Sequence, residues 1–235
     1  MRGFEPLIPV VIIVGVLSLI GVVVYLSHRA QKRRTAALSA LAENMGLPFF
    51  PAGDPGLLLE LARFHLFSQG RAKRIRNMLH GDAGDVRVAI FDYQYTVGSG
   101  KHSHTHVQTV ASFRVPELRL PEFALRPENL FHKIGGVFGY LDIDFESHPA
   151  FSRAYLLRGS NEPLIRRLFV PEVLVYFESH NDLCVEGSGP QFVYYRNGRR
   201  LDPDAIRAWL ETGFELLRLF RISPATGPAA TGETR

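Results

Sequence analysis

The chain contains twenty consecutive residues without a charge, LIPVVIIVGVLSLIGVVVYL from Leu7 to Leu26. This run constrains the fold more than any other feature of the sequence, because it favours insertion in a membrane. At a helical rise of about 1.5 Å per residue, the run spans about 30 Å, which matches the hydrocarbon core of a bilayer. Pro9 falls in the first turn, where a missing N–H is tolerated. Tyr25 falls near the far boundary, where membrane interfaces favour aromatic rings. The run therefore predicts a transmembrane helix.

The flanks of this run decide between an anchor and a cleaved signal peptide. A signal peptide has a basic leader, a shorter apolar core and a small-x-small cleavage site, whereas this run is followed by LSHRAQKRR. Only Arg2 precedes the span, and four basic residues follow it: Arg29, Lys32, Arg33 and Arg34. Because the exit is not a cleavage site, we expect an uncleaved single-pass anchor in the inner membrane. Positive flanks stay in the cytoplasm, so the N-terminus would lie outside and the bulk of the chain in the cytoplasm.

The same basic flank accounts for the positive charge of the whole chain. Of 27 Lys and Arg residues, five lie before position 35, and of 23 Asp and Glu residues only Glu5 does, so 22 of each remain beyond it. That remainder is formally neutral, which argues against a nucleic-acid-binding domain. We expect the flank to contact anionic lipid head groups through Arg29, Lys32, Arg33 and Arg34. Two further basic clusters, at 71–76 and 199–200, are either solvated surface or additional contacts with those head groups.

Beyond the anchor, the spacing of apolar residues first predicts a helix and then strands. Leu38, Leu41, Ala42 and Met45 form a helical stripe that continues the anchor and ends at Gly46. Alternation then predicts three consecutive antiparallel strands: KRIRNMLHG, VRVAIFDYQYTV and HSHTHVQTVASFRV. Further strands are predicted for PEFALRPE, YLDIDF and RAYLLRG, and a closing hairpin for LCVEGSG with QFVYYRNGRR.

Short helices are predicted between and after these strands. Asp54 caps one, Pro171 interrupts another, and the helix after Pro203 has the clearest apolar face. Because helices and strands do not alternate as βαβ units, we predict an α+β domain with a mainly antiparallel sheet and flanking helices. The expected organisation is an anchor with its basic flank over 1–34, a cytoplasmic domain over 35–222 and a disordered tail over 223–235.

Few residues in the chain point to catalysis. The sequence contains no G-x-S-x-G, P-loop, H-E-x-x-H or C-x-x-C motif. Its one cysteine, Cys184, excludes an intramolecular disulfide and fits a reducing compartment. Cys184 has no activating partner nearby in the sequence, so we expect a buried and unreactive thiol.

Three histidines alternate in GSGKHSHTHVQTV and raise the possibility of a metal site. In a strand, His102, His104 and His106 would share a face. Two of them could hold one zinc ion with bonds of about 2.0–2.1 Å, although the outer pair would lie about 13 Å apart along the strand. Further ligands could come from a second alternating stretch: Asp142, Asp144, Glu146 and His148. This constellation defines the alternative function, a metal-dependent hydrolase in which zinc or manganese activates water.

The favoured interpretation of both stretches is a binding surface without a metal or other cofactor. The histidines follow a Gly-Ser-Gly-Lys turn, and the opposite side of their strand is apolar enough to explain the strand. Four tyrosines could line a groove but more often belong to a core: Tyr93, Tyr95, Tyr194 and Tyr195. We therefore expect the binding surface on an exposed hairpin from Tyr93 through Tyr95 and Lys101 to His106, together with residues 142–148.

The order of these motifs resembles a group of bacterial single-pass membrane proteins of unknown function. The resemblance covers residues from about 40 to about 220, and its most specific parts are FDYQYTVGSGK and DFESHPAFSRAYLLRG. It implies a membrane location and no particular activity. We predict a non-enzymatic, membrane-tethered cytoplasmic domain that binds a protein or lipid partner.

Overall fold

The computed structural model describes residues 7–129 and 142–223, with side chains from residue 11 onward. Its α-helices are α1 (Leu7–Asn44), α2 (Pro55–Glu60), α3 (His65–Ser68), α4 (Pro149–Ala154), α5 (Glu162–Leu168), α6 (Pro171–Ser179) and α7 (Ile206–Ile222). Its strands are β1 (Phe49–Phe50), β2 (Arg71–Ala83), β3 (Val86–Val97), β4 (His104–Arg114), β5 (Leu120–Pro127), β6 (Tyr155–Gly159), β7 (Cys184–Gly189) and β8 (Gln191–Tyr195). Short 3-10 turns lie at Leu61–Arg63, Gly100–His102 and Pro203–Ala205.

The strands form one antiparallel sheet in the order β1-β2-β3-β4-β8-β7-β5-β6. The predicted run of three consecutive strands is confirmed as β2-β3-β4, and the predicted closing hairpin is confirmed as β7-β8. Flanking helices complete the α+β fold that the spacing of apolar residues predicts.

One predicted strand, YLDIDF, is wrong over its described residues. Asp142–Phe145 forms a single backbone hydrogen bond to β6, from the Ile143 N–H to the Leu157 carbonyl. The returning Leu157 N–H is donated to the Asp142 carboxylate instead of to a backbone carbonyl. The Asp142 side chain therefore takes the place of the backbone carbonyl that would accept the second hydrogen bond of a strand pair, and pairing with β6 stops there. The first two residues of this predicted strand, at positions 140 and 141, lie outside the described residues.

Both faces of the sheet are covered, by different parts of the chain. Val88, Ile90 and Phe113 belong to a core beneath the end of α1 and helices α4 to α7. Ala89, Phe91 and Val110 belong to a second core beneath residues 61–67. This alternation follows from the two-residue period of a strand. The helices therefore bury the side chains on one face of these strands, and residues 61–67 bury those on the other face.

The anchor helix and the domain are joined without a break. Helix α1 is long and apolar enough to cross a membrane, and it continues as one helix to Asn44. The sequence predicts this continuation, which is confirmed: Leu38 and Ala42 are buried in the core, and the chain leaves the helix at Gly46 with φ of +67°. A glycine accepts this left-handed conformation with little strain. The last turns of α1 are thus part of the domain.

The folded region extends one residue further than predicted, to Ser223, which follows α7. Ser223, predicted as the first residue of the tail, is buried, and its hydroxyl donates to the carbonyl oxygens of Arg167 and Leu168. Residues 224–235, the rest of the predicted tail, lie outside the described residues.

Candidate membrane-facing site

The histidine hairpin differs from the predicted regular strand. His102 lies in the 3-10 turn Gly100–His102, so only His104 and His106 belong to β4. His104 is exposed, whereas the His106 ring is half-buried and stacks on Tyr95 with ring centroids 5.1 Å apart. The expectation that three imidazoles share one strand face is therefore wrong, because the turn removes His102 from the alternation.

The acidic stretch is likewise not a strand face. The Asp142 carboxylate accepts the Leu157 N–H at 2.9 Å, and burial raises the pKa of Asp142 above its usual value. Asp144 and Glu146 are exposed. His148 lies at the start of α4, with its Nδ1 3.3 Å from the Glu178 carboxylate. These four side chains therefore serve different local roles.

The two stretches do not combine into a metal centre. The histidines lie at one end of β4, while residues 142 and 143 run along β6, with β8, β7 and β5 between these strands. Across residues 7–129 and 142–223, no three His, Cys, Asp or Glu side chains come close enough together to hold one ion. The hydrolase alternative required the two stretches to meet, and the fold separates them.

The tyrosines belong to the core. Tyr93 and Tyr95 stack with centroids 5.4 Å apart, and Tyr93 packs on Phe67 at 4.4 Å. All four candidates, Tyr93, Tyr95, Tyr194 and Tyr195, are at most 2% exposed. Burial raises the pKa of the Tyr93 phenol. The exposed part of the hairpin is consequently shorter than expected and runs from Gly98 to Thr105, including Lys101.

A buried ion pair joins the anchor helix to the sheet. The Arg34 guanidinium donates two hydrogen bonds of 2.7 Å to the two carboxylate oxygens of Asp92 in β3. The Arg34 side chain is 12% exposed and the Asp92 side chain 6% exposed. Arg34 was expected to contact lipid head groups with the rest of the flank, but its guanidinium is already engaged inside the protein.

Neighbouring polar groups complete this Arg34–Asp92 clasp. Asn77 donates to Asp92 at 2.9 Å and accepts from the Thr35 hydroxyl at 2.7 Å. The Thr109 hydroxyl donates to Asp92 at 3.1 Å, and Arg34 also donates to the Leu201 carbonyl at 2.6 Å. Asn77 reaches this position from an irregularity in β2, where its φ is +50°. The clasp fixes α1 against three strands and the segment before α7.

The clasp also sets the direction of the sheet relative to the membrane span. Thr35 bonds Asn77, and Leu47, just beyond α1, packs against Gly81 further along β2. The helix advances about 13 Å from residue 35 to residue 44, as β2 does from residue 77 to residue 81. The helix and β2 therefore run side by side in the same direction. The ends of β2, β3 and β4 that meet at the Gly98–Thr105 tip point back toward the apolar span.

A cleft opens beside the clasp, at the edge of β2 that β1 leaves unpaired. Its volume is about 630 Å³. One wall is Gln31 and Thr35 of α1, and the other is the turn into α2 with Asp54, Pro55 and Leu58. The floor is β2, from Lys73 to Asn77. Because Lys73, Arg74 and Arg76 line it, we call it the cationic cleft.

A second buried ionic cluster lies on the opposite face of the sheet. Glu186 is 1% exposed and accepts from Arg126 at 2.9 Å and from the Tyr195 hydroxyl at 3.0 Å. Burial lowers the pKa of nearby His65 to about 4, with the positive charge of Arg126 acting in the same direction. Burial also raises the pKa of Cys184 to about 12. The expectation that this thiol is buried is confirmed, since Cys184 is 1% exposed.

The fold and these contacts define a class of protein: an α+β domain whose antiparallel sheet is clasped to the continuation of an N-terminal helix that is long and apolar enough to cross a membrane. A scan against protein-family models and a search of curated proteins both find no match. Among solved structures, the chain is similar to the mycobacterial trehalose monomycolate transport factor A, TtfA, with a TM-score of 0.59 and 14% sequence identity. The alignment covers 87% of this chain and 99% of that one. At this identity the likeness concerns the fold.

Proposed function

We propose that this protein is a non-enzymatic scaffold that holds a binding surface in a fixed orientation at the cytoplasmic face of the inner membrane. The observation that supports this proposal best is the clasp, in which Arg34 of the anchor helix and Asp92 of the sheet form a buried, two-point ion pair. A flexible linker would let the domain rotate freely. A continuous helix docked into the core instead keeps one end of the sheet turned toward the bilayer.

The surface that this orientation presents is the tip of the β3–β4 hairpin. It is exposed from Gly98 to Thr105 and includes Lys101, His102 and His104. In this proposal the tip meets a membrane-embedded partner protein. The name of the structural neighbour, a trehalose monomycolate transport factor, supports a partner concerned with lipids. The exposed residues Asp144 and Glu146 form a second, separate surface of the scaffold.

Photo-crosslinking in native membranes tests this proposal. A photoreactive amino acid replaces Ser99 at the tip in one variant of the full-length chain and Ala83, the last residue of β2 and at the end of the strand away from the tip, in the other. Both positions are exposed, so neither change disturbs the core. We expect a discrete membrane-protein adduct from position 99 that is absent from position 83. Absence of an adduct from position 99, or identical adducts from both positions, would contradict the proposal.

A further inference from the structure

The cationic cleft between α1, α2 and β2 has an excess of positive charge. Arg74 and Arg76 are exposed, and within the ranges that the structure describes neither forms an ion pair. Lys73 also lines the cleft, and its ammonium group donates to the Phe67 carbonyl at 2.6 Å. Among the described residues that line the cleft, the one acidic residue is Asp54, whose carboxylate accepts the Gly56 N–H at 2.8 Å. The cleft therefore offers two uncompensated guanidinium groups.

The walls of the cleft are apolar close to these charges. Ile75 is 6% exposed on the floor, and Pro51, Pro55 and Leu58 stand on the side opposite α1. A guanidinium group binds phosphate oxygens through paired hydrogen bonds, and an apolar wall tolerates a glycerol or acyl segment. The combination suits a ligand with an anionic head and an apolar remainder.

The position of the cleft identifies where such a ligand would come from. Gln31, which lines the cleft, lies five residues after Leu26, the end of the apolar run. Five helical residues advance about 7.5 Å, which is within the head-group layer that flanks the hydrocarbon core. The cleft and its arginines are thus held at the depth of lipid phosphates whenever α1 spans a bilayer.

We propose that the cleft binds the head group of an anionic phospholipid, with Arg74 and Arg76 contacting its phosphate. This inference rests on the proposed function, because it uses the orientation that the clasp imposes. Of the two interpretations that the sequence leaves open for the basic cluster at 71–76, it chooses contact with lipid head groups over solvated surface. Arg29, Lys32 and Arg33 would then add a less specific attraction to the same leaflet.

Native mass spectrometry of the full-length chain, released from mixed phosphatidylcholine and phosphatidylglycerol, tests this proposal. We expect the wild-type chain to retain phosphatidylglycerol in preference to phosphatidylcholine. The double substitution Arg74→Gln and Arg76→Gln should reduce that preference by about tenfold or more. Arg74→Lys with Arg76→Lys, which keeps the charge, should retain most of it. An excess of inorganic phosphate should not displace the lipid.

The matched control removes two exposed arginines from the other end of the domain. Arg87→Gln and Arg218→Gln make the same change in charge, and the lipid preference should be unchanged. An equal loss in this control, or displacement by inorganic phosphate, would overturn the proposal. Unchanged preference in the Arg74 and Arg76 variant, alongside a retained crosslink from position 99, would overturn it while leaving the scaffold function standing. Fluorescence of the single Trp209 confirms that each variant is folded.

Discussion

Replacing Asp92 with alanine is expected to lower the free energy of unfolding by about 3–5 kcal/mol. The substitution leaves the Arg34 guanidinium, 12% exposed, without the two oxygens of its carboxylate partner. Asn77 and Thr109 also lose the oxygen to which they donate. Denaturant unfolding of the full-length chain in detergent, followed by Trp209 fluorescence, measures the change.

The control for this prediction is an ion pair at the surface. Arg221 and Asp85 are 46% and 51% exposed, so Asp85→Ala should change stability by at most about 1 kcal/mol. The double variant Arg34→Ala with Asp92→Ala should lose much less than the two single losses added together, because each single change leaves a buried group unpartnered. If Asp92→Ala proved no more harmful than Asp85→Ala, the clasp would not be holding the anchor.

Replacing Glu186 with glutamine is expected to lower the free energy of unfolding by a similar amount, about 3–5 kcal/mol. Glutamine preserves the shape of the side chain but leaves the positive charge of Arg126, 14% exposed, without its counter-ion. Leu66 and Tyr195 also donate to this carboxylate, so the cover over the second core should loosen. A faster reaction of the otherwise buried Cys184 with a thiol reagent would report that loosening.

A half-exposed pair provides the comparison for Glu186. Glu60 and Arg114 form an ion pair at 2.7 Å with side chains 34% and 40% exposed. Glu60→Gln should therefore cost about 1 kcal/mol or less and leave the reactivity of Cys184 unchanged. Equal effects of Glu186→Gln and Glu60→Gln on stability and on thiol reactivity would show that the buried carboxylate is not needed to hold residues 61–67 on the sheet.

The anchor and most of the sheet could be predicted because each depends on a local pattern. Twenty uncharged residues are sufficient for a span, and alternation in VRVAIFDYQYTV is sufficient for a strand. The same two patterns also contained the clasp. Arg34 precedes Leu38 by four residues on the buried stripe of α1, and Asp92 continues the inward row of Val88 and Ile90. The sequence therefore contained a signal for the clasp: a positive charge on the buried face of α1 and a negative charge on the inward face of β3.

Other parts of the site depended on contacts that no local pattern encodes. The segment around Asp142 alternates as a strand does, yet its carboxylate takes the hydrogen bond that a strand would have given to a backbone carbonyl. His102 alternates with His104, yet a 3-10 turn holds it outside β4. The cleft forms where α1, α2 and β2 meet, and residues 31, 58 and 74 are neighbours only in the folded chain. Sequence periodicity identified the elements but not how they meet.

The orientation of the domain relative to the membrane underlies both proposed roles, and fluorescence quenching in liposomes measures this orientation directly. A thiol-reactive fluorophore is attached at Ser99→Cys or at Ala83→Cys of the full-length chain, with the native Cys184 buried and unlabelled. Residues 83 and 99 lie at opposite ends of β2 and β3, about 40 Å apart along the strands. Lipids with a nitroxide on the head group should quench the label at 99 strongly and the label at 83 weakly. Equal quenching at the two positions, or stronger quenching at 83, would contradict a sheet clasped to its anchor with the hairpin tip toward the membrane.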